Sequence, residues 1–265
     1  MKIIVPIKQV PETSNVKMDP ETGTMVREGV ESIINPLDLY AIEAAISLKE
    51  EQGAEVIAIS MGPVKAGLAL KEAIAMGCDD GILLSDKAFA GADTWATSYV
   101  LAQAIKKIGA FDLILCGERA TDGDTGQVGP GIAAWLDIPF HTYVSAIKEV
   151  HSAFLVIERM VETGYEILEI DRPCLLTVVK EINYPRLPTL RGKQRARKMQ
   201  NRVWGPADIE ARAECLGLPG SPTRVVKISK PQIARNGVIL YPKDEKQVEE
   251  AVDQLMAFLE QKEIL

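Results

Sequence analysis

The chain has 265 residues, 47% of them hydrophobic and 25% charged, with a formal net charge of −7. This is ordinary globular composition, long enough for one large domain or a domain plus an extension, and its acidity argues against general nucleic-acid binding. No run approaches the ~20 apolar residues of a membrane span, and the opening Met-Lys-Ile-Ile-Val-Pro-Ile-Lys is too short an apolar stretch, without a small-residue cleavage site, for a signal peptide; a cytoplasmic protein is expected.

Residues 3–7 form the first short apolar run, and similar runs recur at 55–60, 81–84 and 112–116. Each reads as a buried parallel strand. Helical patterns alternate with them at 38–52, 64–76, 94–108 and 130–137. The alternation predicts a doubly wound, mostly parallel α/β sheet with right-handed crossovers. In such sheets ligands bind beyond the carboxyl ends of the strands. That rule selects the loops after Ile7 and after Ser60, the turn at Asp93 and Thr94, and the loop carrying Asp122 to Gln127.

The last of these is the most informative. Gly117-Glu-Arg-Ala-Thr-Asp-Gly-Asp-Thr-Gly-Gln-Val-Gly-Pro130 joins a strand to a helix. Its glycines let backbone approach a phosphate, while Thr125, Gln127 and the first-turn N–H groups of the helix can donate to it. The pattern is neither the G-x-G-x-x-G fingerprint nor the Walker phosphate loop. Taken by its spacing, it is either a pyrophosphate cradle or a surface connection with a capped helix behind it.

Beyond about residue 145 the pattern turns to β. Runs at 153–159 and 165–171 flank a turn at 161–164, predicting a hairpin, and 173–180 is a further β-rich run extending or backing the same sheet. Residues 183–202 then carry seven basic residues and no acidic one. This is either a solvated helix face or a docking segment, since prolines hold the apolar Leu187 and Leu190 in a polar loop. Nucleic acid is the weakest reading, because aromatic interleaving is absent. After Pro and Gly punctuation at 217–222, Val248, Val252, Leu255, Met256 and Leu259 recur at helical spacing. Such a stripe either closes its own core or lies on a partner subunit. The cysteines at 78, 116, 174 and 215 read as reduced structural thiols, and neither they nor His141 and His151 have metal-ligand spacing.

Several motifs together resemble the β subunit of electron transfer flavoproteins over essentially the whole chain. They are Val5-Pro-Ile-Lys-Gln-Val-Pro11, Asn35-Pro-Leu-Asp38 with Glu43-Ala-Ala45, Met61-Gly-Pro63, Ala75-Met-Gly77, Asp93-Thr94 with Ala96-Thr97, Asp122 to Val128, and Tyr184-Pro-Arg-Leu-Pro-Thr-Leu-Arg-Gly192 before a basic helix. The resemblance implies an adenine nucleotide alpha hydrolase-like sheet with a β-hairpin extension and a C-terminal helical arm. It implies a nucleotide-binding domain over 1–205, including a partner-recognition loop at 184–192, and an arm over 206–265 whose amphipathic helix packs on an α subunit. Cofactor-binding positions carry over to Pro6, Asn35, Asp38, Met61, Asp93, Thr94, Thr97, Gly117, Ala120, Asp122, Gly123, Asp124, Thr125, Gly126, Gln127 and Val128. Partner docking carries over to Tyr184, Leu187, Leu190 and Arg191, with Leu187 or Leu190 as the apolar anchor.

Within the family, Pro11 to Arg27 followed by Gly29 and Ser32-Ile-Ile-Asn-Pro36 resembles the electron-bifurcating type. That implies FAD in the pocket, NADH as hydride donor, and no catalytic side chain. It further implies electron delivery to ferredoxin or flavodoxin and, through the α-subunit FAD, to an acyl-CoA dehydrogenase-type flavoenzyme. Pro6 stands where many bifurcating members carry cysteine, and Glu12 where they often carry Asp. The alternatives are a conventional subunit holding AMP as a scaffold, and a nucleotide-sensing protein of universal-stress type.

Overall fold

The computed structural model describes residues 1–12, 17–18, 25–26, 32–200, 202–226 and 237–264. In chain order the strands and helices are β1 (Lys2–Pro6), β2 (Gln9–Pro11), β3 (Lys17–Met18), β4 (Met25–Val26), β5 (Ser32–Ile34), α1 (Asp38–Gln52), β6 (Glu55–Met61), α2 (Gly67–Met76), β7 (Asp80–Leu84), α3 (Thr94–Ile108), β8 (Leu113–Gly117), α4 (Val128–Leu136), β9 (Phe140–Val150), β10 (Phe154–Val161), β11 (Gly164–Asp171), β12 (Cys174–Val178), α5 (Leu190–Lys198), β13 (Arg202–Trp204) and α6 (Glu245–Gln261). The chain divides into two compact units, Met1–Val226 and Lys227–Leu265. Among the described residues no helix is long and apolar enough to cross a membrane.

In the first unit nine strands form one sheet in the order β11-β10-β9-β12-β8-β1-β6-β7-β13. Every pairing from β9 to β13 is parallel, and β10 and β11 add to one side antiparallel. The expected doubly wound α/β architecture is therefore observed, with the hairpin continuing the same sheet. Side chains alternate between two cores as the pleat requires. Val5, Ala58, Leu83 and Leu115 pack with α1 and α2 residues such as Ile42 and Leu70. Ile4, Ile57, Ile82 and Ile114 pack with Val100 and Ile105 of α3 and Ile132 of α4. Strands covered on both faces explain why β1, β6, β7 and β8 read as unbroken apolar runs rather than alternations.

Local chemistry sets the helix ends. α1 stops at Gly53, which takes the left-handed conformation at φ 66° and returns its N–H to the Lys49 carbonyl at 2.9 Å. The helical pattern over 64–76 begins as a 3-10 turn, Val64–Ala66, before α2. α4 starts at Val128, two residues ahead of Pro130; a proline in the first helical turn removes an N–H that has no intrahelical partner anyway.

Besides the short β2–β5 pairs, which form two separate two-stranded sheets, two strands of the nine-stranded sheet, β9 and β13, were not anticipated. β9 has a weak signature because it is bulged against β10 and Tyr143 sits at φ 59°, which breaks the period-2 pattern. β13 is only three residues long, beginning at the last residue of the basic run, and is specified by pairing with β7. The first unit also continues past Gly205: Ile209 and Leu216 are buried in the α3–α4 core, and the Arg212 N–H donates to the Tyr99 hydroxyl at 2.8 Å. In the second unit, α6 is capped by Asp244, whose carboxylate accepts from the Gln247 N–H at 2.9 Å, and none of its residues is buried.

Candidate functional site

The carboxyl ends of β1, β6 and β8 release three of the expected loops on one edge of the sheet, and the Asn35 and Asp93 turns join them there. Hydrogen bonds knit them together. Asn35, fully buried, donates from its amide to the Arg119 carbonyl and to Asp38, both at 2.9 Å, and accepts from the Thr121 N–H at 3.1 Å. Asp38 accepts from the Lys8 N–H at 2.7 Å. Lys8 reaches from the end of β1 to Asp122 at 2.6 Å. Thr94, at the start of α3, donates to Gln127 at 3.3 Å. Segments 8, 35–38, 94 and 119–127 thus form one hydrogen-bonded rim.

The strand ends demand small or rigid groups here. A Cβ on Gly117 would lie 2.8 Å from the Leu37 carbonyl carbon and 2.9 Å from the Asp38 nitrogen, so only glycine lets β8 end against the start of α1. Beyond it the loop turns through Asp124 at φ 54° and Gly126 at φ 63°, with the Asp124 N–H bonded to the Ala120 carbonyl at 2.8 Å. Pro6 is buried within β1, and Met61, half-buried, ends β6.

The two helix N-termini on this edge differ. α3 is capped: Asp93 accepts from the Ala96 N–H at 3.0 Å, and its second oxygen takes the Thr223 N–H at 2.9 Å and hydroxyl at 2.7 Å. Burial pushes the Asp93 carboxyl up, but the N–H donors of Ala96 and Trp95 and both Thr223 donors outweigh it and hold it below the ordinary value. The Thr97 N–H is satisfied by the Asp93 carbonyl at 2.9 Å. α4 has no such cap, because Gln127 makes no side-chain bond to its first turn. The leading N–H groups, Val128 and Gly129, therefore face the loop with the positive end of a helix dipole behind them. Gly129 is held close to the sheet, since a Cβ there would lie 2.7 Å from Thr177 Cγ2.

Acidic groups in the loop are neutralised locally. Asp122 pairs with Lys8 and Asp124 with Arg119 at 3.0 Å, so neither presents a bare carboxylate to an incoming anion. Thr125 is exposed. Asp38 lies beneath the rim at 6% exposure. Burial raises its carboxyl to about 7, opposed by the Lys8 N–H, the Asn35 amide, the Lys8 charge and the Gly117 N–H. Asp38 is a tie between the starts of α1 and two strand ends. Beneath the edge, burial pushes the Cys116 thiol well up, with the Asp38 charge adding to it.

Lys8, Arg119 and Thr223 belong to this rim and were not singled out from the sequence. A lysine directly after a strand end facing an Asp/Gly-rich loop is the signal that would have marked Lys8; nothing in the local pattern marks Thr223, which arrives from over a hundred residues away in the chain.

The expected docking residues lie on other elements, the segment after β12 and the first turn of α5. Tyr184 is 96% exposed, Leu187 87% and Leu190 82%. Arg191 lies in the first turn of α5, whose N-cap Thr189 accepts from the Gly192 N–H at 2.9 Å. α5 is not a freely solvated helix: Ala196 packs with Ile74 and Ala75 of α2.

The fold and this edge define a doubly wound α/β protein with a helix N-terminus left without a side-chain cap and, on separate elements, an exposed apolar segment. Residues 22–209 match the electron transfer flavoprotein domain, and the chain belongs to the electron transfer flavoprotein family. It is 48% identical over 256 residues to the electron transfer flavoprotein subunit beta of Thermoanaerobacterium thermosaccharolyticum, covering 96% of this chain and 98% of that protein. It is 46% identical over 266 residues, all of both chains, to the caffeyl-CoA reductase-Etf complex subunit CarD of Acetobacterium woodii. To the acryloyl-CoA reductase electron transfer subunit gamma of Anaerotignum propionicum it is 43% identical over 267 residues, covering 97% and 98%. Membership of this family displaces the universal-stress-type reading.

Proposed function

We propose that this chain is the β subunit of an electron-bifurcating electron transfer flavoprotein heterodimer, holding FAD at the strand-end rim and serving an acyl-CoA dehydrogenase-type flavoenzyme. Its end-to-end similarity to CarD, a subunit of a caffeyl-CoA reductase–Etf complex, carries the reading. When bound, the flavin supplies acceptance of a hydride from NADH and release of the electrons singly, one to ferredoxin or flavodoxin and one through the α-subunit FAD to the dehydrogenase.

The chain's own part is binding and orientation. The Val128 and Gly129 N–H groups receive the pyrophosphate, and Gly123 and Gly126 keep the loop free of side chains where backbone approaches it. Thr125 and the Thr94–Gln127 pair add hydroxyl and amide donors. Lys8 and Arg119 cancel Asp122 and Asp124, removing the repulsion those carboxylates would exert on a phosphate. Asn35 and Asp38 hold the strand ends in register beneath. No side chain is assigned acid–base chemistry. The sequence feature that favours FAD over AMP, Pro11 to Arg27, lies mostly outside the described residues.

The test is to purify the complex with its α subunit, denature it, and quantify nucleotides per copy of this chain. Two FAD and no AMP are expected, together with NADH-dependent ferredoxin reduction. One FAD with one AMP per heterodimer would replace this reading with that of a conventional scaffold subunit.

A further inference from the structure

The loop that presents Tyr184, Leu187 and Leu190 is fastened on both sides, to two different helices. On its leading side, the Asn183 amide donates to the Tyr40 carbonyl at 2.9 Å. Arg186 sits between Tyr184 and Leu187 and points the other way. Its guanidinium donates to both oxygens of Glu43 at 2.9 to 3.1 Å and to both of Glu50 at 2.5 and 2.9 Å, while its backbone N–H donates to Glu43 at 3.0 Å. Glu43 is only 7% exposed and stands seven residues before Glu50 on α1, so two helical turns bring both carboxylates onto one face. A planar guanidinium with five donors can reach all four carboxylate oxygens at once; an ammonium, with three donors on one nitrogen, cannot. On the trailing side, Arg195 of α5 donates to the Ile74 carbonyl at 3.0 Å and to that of Cys78, and a Cβ on Gly192 would collide with the Ala75 carbonyl.

We infer that Arg186 is a positioning residue: clamped between Glu43 and Glu50, it holds the loop in one preformed shape that presents Tyr184, Leu187 and Leu190 to an apolar pocket with an acidic rim on the partner flavoenzyme. This rests on the docking reading of the loop given above. The charge pattern supplies the partner's chemistry. Arg186 is neutralised internally, whereas Arg191, Lys193, Arg197 and Lys198, the other basic residues of α5, make no ion pair among the described residues and are left to meet acidic groups. Three large apolar side chains this exposed would turn inward if the backbone were free to let them. The clamp removes that freedom, so the ordering cost of docking is met in the unbound protein.

The experiment uses the intact α/β complex and the acyl-CoA dehydrogenase whose reduction the wild-type complex catalyses. Arg186→Gln should accelerate backbone hydrogen exchange over residues 184–191 and raise the KM for the dehydrogenase about tenfold, the factor by which a loop competent a tenth of the time weakens binding. Nucleotide content and kcat should be unchanged. Arg186→Lys, which keeps the charge without the fork, should fall between, and serves if the glutamine variant does not assemble. Unchanged exchange and KM in Arg186→Gln, with KM raised in Leu187→Ala, would overturn the clamp. If Leu187→Ala and Leu190→Ala together leave KM unchanged, the docking reading fails and the inference falls with it; the exchange result then still shows separately whether Arg186 orders the loop.

Discussion

The two loop regions of the first unit present their chemistry in opposite ways. The rim from Gly117 to Val128 offers backbone: uncapped N–H groups, glycines, and acidic side chains already neutralised by Lys8 and Arg119. The segment 184–190 offers side chains, three large apolar groups held outward by a clamp. Their supports differ accordingly. A buried polar knot, Asn35 with Asp38, ties the rim from below, while an ion cluster that is partly open to solvent ties the 184–190 segment from the side. A site made of backbone is damaged by adding atoms beneath it; one made of side chains is damaged by removing them.

The largest expected effect tests the buried knot. Burial raises the Asp38 carboxyl from 3.8 to about 7 against the bonds from Lys8 and Asn35, so the folded chain holds this proton more tightly than the unfolded one. Its contribution is full below the unfolded value and is lost as pH rises through the folded one, a change of about 4 kcal/mol across the window. In Asp38→Asn that slope should vanish. Urea unfolding of both proteins at several pH values checks it; parallel curves for wild type and variant would contradict the assignment.

Next in size is Gly117→Ala. The new Cβ would press on the Leu37 and Asp38 backbone, an overpacking expected to cost about 1–3 kcal/mol. Bound nucleotide per complex should fall with the melting temperature, while the KM for the dehydrogenase stays put. Were docking and nucleotide retention to fall together, the two regions would not be separable as described.

The converse substitution is Leu187→Ala. At 87% exposure it should leave stability within about 0.5 kcal/mol, yet weaken docking about tenfold if the side chain fills a partner pocket. Calorimetric melting and steady-state kinetics with the dehydrogenase measure the two halves of that statement. The smallest effect is expected for Lys8→Met. The Lys8–Asp122 pair is short at 2.6 Å but half-exposed, so its loss should cost stability about 0–1 kcal/mol. Nucleotide affinity should fall too, because Asp122 is then uncompensated beside the pyrophosphate, and raising the salt concentration should narrow the difference. Equal affinities in low salt would mean that Asp122 does not face the ligand.

Some elements were legible because local signals and tertiary demands agree. β1, β6, β7 and β8 are covered on both faces, so their apolar runs carried the architecture directly. The hairpin of β10 and β11 closes on Gly164 at φ 139°, a conformation that favours glycine. β9 and β13 were not legible: a bulge breaks the period of the first, and only pairing with β7 makes the second a strand. The site divides in the same way. Gly117, Asp122 and Gln127 were marked by composition and by resemblance, but the partners of the last two, Lys8 and Thr94, are distant in sequence and meet them only in the fold.

The sequence by itself determined the alternation of strand and helix and the family, and marked the segments to which function is assigned as a proposal. Periodicity, glycine placement and motif order are local properties and survive without coordinates. Only the tertiary structure decided which groups are available. It shows Asp93 and Asp38 engaged in capping and tying, α4 left without a side-chain cap, and Arg186 turned inward while Leu187 and Leu190 face out. Availability depends on burial and on partners distant in the chain, and both exist only once the sheet has brought its strand ends to one edge.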